Sequence, residues 1–196
     1  QLWECFQTTR PELIARVAGA CLGQPAAATA SEIVVFVTRQ DLYRQRAQFV
    51  LEFERGNIRR NSPEERQAKR IRDRELYYGK LMPFLYARCC GILGAFRALL
   101  ARGIGLFRPM MREVSECAMR VTVNKSCALA AQTLMLAATA LGYGSCPMDG
   151  FDFAAVARIL ELPDDHLVSM FVAIGRPLAA AGPRPGTIPV AELTSV

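Results

Sequence analysis

The amino-acid sequence predicts an α+β fold, and three observations carry that prediction. Ile33 to Val37 is a continuous β-branched and aromatic run, the pattern of a strand covered on both faces. Leu167 to Ile174 has the same character and reads as a second central strand. Around them lie helix-patterned segments, the longest a charge-free apolar run that starts at Ser126. The chain has 196 residues and is 52% hydrophobic, enough for one domain with a sizeable core.

Trp3 to Thr8, the first element, has the alternation and aromatic content of a strand. Thr9-Arg10-Pro11-Glu12 reads as a capping box, in which Thr9 accepts the Glu12 N–H and the Glu12 side chain reaches back. The helix behind it puts Leu13, Ile14, Val17 and Cys21 on one side, and Gly23-Gln24-Pro25 ends it. Asp41 to Phe53 predicts another helix. From Arg55 to Arg74 both charge signs mix, as in a solvated helix or loop.

Leu76 to Met111 is a basic amphipathic segment. Large apolar residues such as Phe84, Ile92, Phe96 and Leu99 alternate with Lys80, Arg88, Arg97, Arg102 and Arg108. Gly91, Gly94, Gly103 and Gly105 are expected to break it into short helices. It could cover a binding site, pair with a second subunit, or make weak contact with an anionic membrane surface. The first two roles are preferred. Further on, Asp152 is placed to cap a helix over Phe153 to Glu161, with Pro163 as its stop. The tail from Leu178 is rich in Pro, Gly and Ala.

Several function classes are excluded. Seven cysteines lack C-x-x-C spacing and His166 is the single histidine, so no metal site is expected. Reduced, mostly buried thiols in a cytoplasmic protein are expected instead, Cys146 being a small apolar packing group. No Ser-His-Asp, Cys-His or paired-carboxylate arrangement is evident, so no catalytic side chain is assigned. The net charge of +6 is concentrated between Arg55 and Lys125. It carries no nucleic-acid motif, and an anionic cofactor or substrate accounts for it equally well. The run from Ser126 is long enough to raise a membrane span. Gln132, Thr133 and Thr139 interrupt it, however, and Gly142 and Gly144 end it, so a buried core helix is expected.

Past that helix, Pro147, Met148, Asp149 and Gly150 read as a tight loop. Gly150 has no side chain, so main-chain N–H groups there can approach a flat ligand. The same four residues could form an ordinary turn between two helices. Gln24 has a carboxamide that donates and accepts at once. It could equally face water at a helix end.

These segments together resemble the FMN-dependent nitroreductase family. The helix reads Ala131-Gln132-Thr133-Leu134-Met135-Leu136-Ala137-Ala138, where the family usually carries Gln-Asn-Leu-x-Leu-Ala-Ala. Leu141-Gly142, Ser145 to Asp152 and Ile174-Gly175-Arg176-Pro177 come next in the family's order. Pro147-Met148-Asp149-Gly150-Phe151-Asp152 is the most specific piece, although many relatives have Glu where Asp149 stands. Gln1-Leu2-Trp3 resembles the family's Gln-Pro-Trp segment, and Gln24-Pro25 precedes the strand in the expected place. The resemblance covers Gln1 to about Arg55 and Val121 to Pro177. Within one domain spanning 1–196, residues of about 56–120 read as a divergent insertion.

The resemblance implies a nitroreductase-like fold, a small, mostly antiparallel sheet flanked by helices. It implies FMN as cofactor, NADH or NADPH as co-substrate, and a small-molecule electron acceptor such as a nitroaromatic or quinone. It implies a homodimer whose two subunits share each flavin site. Pro147, Met148, Asp149 and Gly150 would line the flavin ring, Gln24 its pyrimidine edge, and Gln1 and Trp3 would lie near it. Arg184 would meet the phosphate, while Thr187 stands where the family has a second basic residue. The chain opens inside a strand without Met, which reads as an N-terminally truncated member lacking the family's first phosphate-binding helix. A non-redox flavin-binding or membrane-peripheral protein is the alternative function. Reductive dehalogenation is a third.

Overall fold

The computed structural model describes residues 1–163 and 166–177. Four strands form one antiparallel sheet: β1 (Trp3–Thr8), β2 (Glu32–Thr38), β3 (Gly144–Met148) and β4 (Leu167–Gly175). Their spatial order is β1-β2-β4-β3, which puts β2 and β4 in the centre and β1 and β3 on opposite edges. The helices are α1 (Pro11–Ala20), α2 (Pro25–Ala28), α3 (Tyr43–Asn61), α4 (Glu64–Leu76), α5 (Met82–Tyr86), α6 (Ile92–Ile104), α7 (Glu116–Ala140) and α8 (Phe153–Ile159). A π-helical turn, Tyr77–Leu81, joins α4 to α5.

Every residue from Ile33 to Val37 is buried, as a strand covered on both faces requires. Alternation sends Ile33, Val35 and Val37 to one face and Val34 and Phe36 to the other. The first face packs on α1 and α8, where Ile14, Val17, Met148, Phe151, Val156 and Phe171 form the main core. Phe151 and Phe171 meet edge to face at 4.7 Å. The second face packs on α7 through Cys127 and Ala131, with Trp3 tilted over Phe36 at 6.2 Å. The architecture is therefore helix, sheet, helix.

The structure corrects several local expectations. α1 begins at Pro11 with Arg10 as its cap residue and no side-chain cap, because proline at the first helical position leaves Thr9 outside the capping turn. Thr8 takes the nearby bond instead, its Oγ1 accepting the Arg10 N–H at 3.3 Å. α7 begins well before Ser126, at Glu116, where Ser115 Oγ accepts the Ala118 N–H at 3.1 Å. It is also not buried all round. Met119, Val123, Cys127 and Ala131 face the core, whereas Leu129 and Leu136 are exposed. Gly94 and Gly103 lie inside α6, and the breaks fall only at its ends, at Gly91 with φ +83° and at Gly105.

The thiols are not mostly buried either. Cys5, Cys89, Cys90 and Cys117 are exposed, and Cys21 and Cys127 are the buried ones. Finally, α8 ends at Ile159, before Pro163, with Glu161 in a left-handed conformation. Among the described residues no helix is long and apolar enough to cross a membrane.

Candidate functional site

Half of the anticipated Pro147–Gly150 loop is strand. Pro147 pairs with Val172 and Met148 with Phe171 on the outer strand β3. Proline survives there because an edge strand leaves alternate N–H groups unpaired, and a missing one costs nothing. Met148 turns its side chain into the main core and is buried. Its side chain is therefore turned away from the exposed side of β3, where only its main chain is presented. The chain leaves the sheet at Asp149, which is exposed.

Residues 149–152 form a short ledge anchored from three sides. Met148 holds its start through the ladder to Phe171. Gln24 Nε2 donates to the Gly150 carbonyl at 2.7 Å. The Asp152 N–H donates to the Ala20 carbonyl at 2.9 Å, tying the ledge to the end of α1. Asp152 Oδ1 then accepts the Ala155 N–H at 3.0 Å and starts α8. Gln24 reaches this position because the chain turns sharply after α1 through Leu22 and Gly23, both at positive φ. A Cβ on Gly150 would meet Gln24 Nε2 at 3.0 Å, so glycine keeps the clamp closed.

The ledge leaves two donors free. Among the described residues, the amide N–H groups of Asp149 and Gly150 donate to no protein atom. Gln24 Oε1 likewise accepts from none. Two main-chain donors and a side-chain acceptor on a partly exposed ledge suit the edge of a flat heteroaromatic ring with alternating acceptor and imide N–H positions. The residues present therefore fit the ring of a flavin.

The remaining candidates lie elsewhere. Trp3 is half-buried on the α7 side of the sheet, and Gln1 is exposed. Gln1 lines an apolar groove of about 360 Å³ with Arg46, Phe49, Val50 and Phe53. Because β1 and β3 are opposite edges of the sheet, one chain does not bring Gln1 and Trp3 to the Gln24–Gly150 clamp. Arg184 falls outside the described residues. Burial pushes the Cys127 thiol up to about 11 and also raises Cys21, so neither is a ready nucleophile. Among the described residues no cluster of His, Cys, Asp or Glu is placed to hold a metal ion.

Sequence reasoning missed the Ala20 carbonyl and the Gln24–Gly150 bond. The latter joins residues 126 positions apart, and no local pattern signals a contact of that range.

The model of the Nitroreductase family matches residues 1–176. The chain belongs to the nitroreductase family. It is 47% identical over 79 residues to Protein DrgA of Synechocystis, a stretch that spans 38% of either chain. The nitroreductase-like ydfN structure from Bacillus subtilis superposes with a TM-score of 0.66 at 22% identity, covering all of this chain and 78% of that one. An FMN complex from Exiguobacterium sibiricum gives a TM-score of 0.59 at 18% identity, covering 99% of this chain and 76% of that one. These structural likenesses show a shared fold.

Proposed function

We propose that this chain is one subunit of a homodimeric, cytoplasmic FMN-dependent NAD(P)H oxidoreductase that reduces nitroaromatics, quinones or similar small acceptors. The observation that carries the reading is the pair of unpaired N–H donors at Asp149 and Gly150, held on a ledge clamped by Gln24. When bound, FMN supplies hydride chemistry at its N5 in two half-reactions, reduction by NADH or NADPH and then reduction of the acceptor.

The chain's own part is binding and orientation. The Asp149 or Gly150 N–H would serve ring N5, and fixed donors there favour the negative charge that reduction builds up. Gln24 Oε1 would take an imide N–H from the pyrimidine edge while Nε2 stays committed to Gly150. Pro147, exposed on the strand edge, offers a flat apolar shoulder. Arg184 is the candidate for the phosphate. No side chain needs to act as a nucleophile.

Dimerisation would resolve the separation of the two candidate groups. α7 exposes Leu129 and Leu136 seven residues apart, one stripe of a helix face. A second copy laid on that stripe would cover it, and the β1 edge of one protomer would then be available to the partner's ledge.

The visible spectrum of the purified chain tests this reading. A yellow preparation, or one made yellow by added FMN, should bleach on anaerobic addition of NADPH and recover with a nitroaromatic. A colourless preparation that cannot be reconstituted would defeat it. A halogenated aromatic assayed beside the nitroaromatic separates dehalogenation from nitro reduction.

A further inference from the structure

A polar cavity of about 210 Å³ lies where the end of β2 and the start of β4 meet α7 and the loop after α5. Thr38, Gln40, Arg88, Arg120, Asn124 and His166 supply its polar lining. Three of these side chains are committed within the chain. Thr38 Oγ1 donates to the Leu167 carbonyl at 3.2 Å, Gln40 Nε2 to the Tyr86 carbonyl at 3.1 Å, and Asn124 Nδ2 to the Arg120 carbonyl at 3.0 Å. The two arginines are not committed. Among the described residues, neither the Arg88 nor the Arg120 guanidinium makes a hydrogen bond or an ion pair.

Charge and shape identify the ligand. No carboxylate is among the described lining residues. Asp41, next to Gln40, is held bidentate by Arg39 at 2.9 and 3.1 Å, and its charge also acts on His166. Two guanidinium groups at one cavity repel each other until an anion sits between them. Their planar forks match phosphate and carboxylate oxygens. A carboxylate offers two oxygens in one plane, whereas a phosphoryl group offers three around a tetrahedral centre. The second arrangement suits forks that arrive from two different elements. The cavity is smaller than the roughly 300 Å³ at which pockets for drug-sized ligands begin, so it holds an ion or one charged group. The partner subunit of the proposed dimer does not answer these charges. Arg120 and Leu129 are nine positions apart, half a turn around α7 at about 100° per residue, so a partner on the Leu129–Leu136 stripe leaves Arg120 on the opposite side.

We propose that the cavity between Arg88 and Arg120 is a binding site for a phosphoryl group, as free phosphate or on a small phosphate ester. It is on the α7 side of the sheet, whereas the Gln24–Gly150 clamp is tied to the end of α1. The proposal is therefore independent of the flavin reading.

Calorimetric and NMR titration of the 196-residue chain with inorganic phosphate, with and without excess FMN, tests the proposal. His166 is the single histidine, so its ring resonances report on this cavity directly. At fixed pH they should shift with the same dissociation constant that calorimetry gives, and FMN should leave that constant unchanged. Arg88→Gln and Arg120→Gln should each weaken binding about tenfold, whereas Arg102→Gln, an exposed arginine outside the cavity, should not change it. Arg88 and Arg120 are exposed, so circular dichroism of both variants should match the parent chain. Glycerol phosphate titrated in parallel separates the two sources: tighter binding than phosphate identifies an ester, weaker binding the free ion. The proposal is overturned by no saturable binding, by His166 resonances that do not move, by arginine variants that bind like the parent, by acetate binding as tightly as phosphate, or by FMN displacing phosphate. It is equally overturned if Arg120→Gln changes the oligomeric state, because the arginine then answers an acid of the partner. Asp164 and Asp165 precede His166 and lie outside the described residues. A gain in phosphate binding of more than about tenfold in Asp164→Asn/Asp165→Asn would show that their carboxylates fill the cavity, and would also overturn it.

Discussion

The sheet and the helical arm from Tyr43 to Ile104 use their apolar residues in opposite ways. The sheet packs Phe171, Val172, Val35 and Val37 to 0–1% exposure. In the arm, α4 buries nothing and α3 buries only Ala47, Leu51 and Ile58. The arm is held instead by ion pairs: Arg55 to Glu52, Arg55 to Glu75 at 2.5 Å, and Arg74 to Glu54 at 3.1 Å. Exposed pairs of this kind contribute about 0–1 kcal/mol each. The difference assigns different work to the two regions. The sheet is a rigid frame that fixes the ledge, and the arm is a low-stability element whose apolar groups remain available for contacts outside the chain.

Truncation of one aromatic in each region gives the largest contrast. Phe171→Ala removes a side chain with no exposure and an edge-to-face partner in Phe151, and it should cost about 3–5 kcal/mol in chemical denaturation. Phe107→Ala, at a side chain 89% exposed, should change stability by no more than about 0.5 kcal/mol. Similar losses at both positions would break the comparison.

Two glycines in one helix sharpen it next. A Cβ at Gly94 would sit 2.6 Å from the Glu116 backbone nitrogen, whereas one at Gly103 meets nothing within 4 Å. Gly94→Ala should therefore destabilise by about 1–3 kcal/mol, because α6 must move off α7. Gly103→Ala should stabilise by up to about 1 kcal/mol through helix propensity. Thermal melts of the two variants carry the test, and shifts of the same sign would show that α6 does not press on α7 at Gly94.

Glu116 joins the arm to the frame. Its carboxylate accepts the N–H groups of Cys89 and Gly91 at 2.9 and 3.1 Å. The Cys89 bond is the first cause of a pKa held below the ordinary 4.5. A depressed carboxylate contributes stability that is fully present above the unfolded value and is lost as pH falls through the folded one. The protection factors of the Cys89 and Gly91 amides, taken against the intrinsic exchange rate at each pH, should fall below about pH 4.5, while those of Val35 and Val172 hold. Glu116→Gln should reproduce the loss at neutral pH.

The frame was legible in sequence wherever the signal was local. The β-branched run at β2, the pattern of β4 and the Asp152 cap each depend on a few adjacent residues. Pro147 hid the strand that contains it, because proline argues against a strand except on an edge, and edge position is a fact of topology. The start of α7 was hidden because Glu116, Arg120 and Lys125 interrupt the apolar run without interrupting the helix. The family motif located the ledge, but neither motif nor periodicity could give the Gln24 clamp. α6, which buries Arg97 and exposes Ile92, Phe96 and Leu99, was half legible. Its alternation of cations and aliphatics was plain, but which face turns inward depends on the carbonyls of Phe84, Ala87 and Val114 that Arg97 reaches.

A modest expected change in stability tests the site itself. Gln24→Ala deletes one half-buried hydrogen bond and should cost about 1 kcal/mol, well below Phe171→Ala. Gln24→Glu keeps the length of the side chain but replaces the donor with a carboxylate facing the Gly150 carbonyl, so it repels what glutamine holds. If the clamp orients the ledge, Glu should weaken FMN binding more than Ala does, although it is closer to Gln in shape. If Gln24 acts only by filling space, the order reverses and Ala is the worse substitution. Flavin fluorescence titration of the two variants distinguishes these outcomes, with about tenfold weaker FMN binding expected for Ala and a larger loss for Glu.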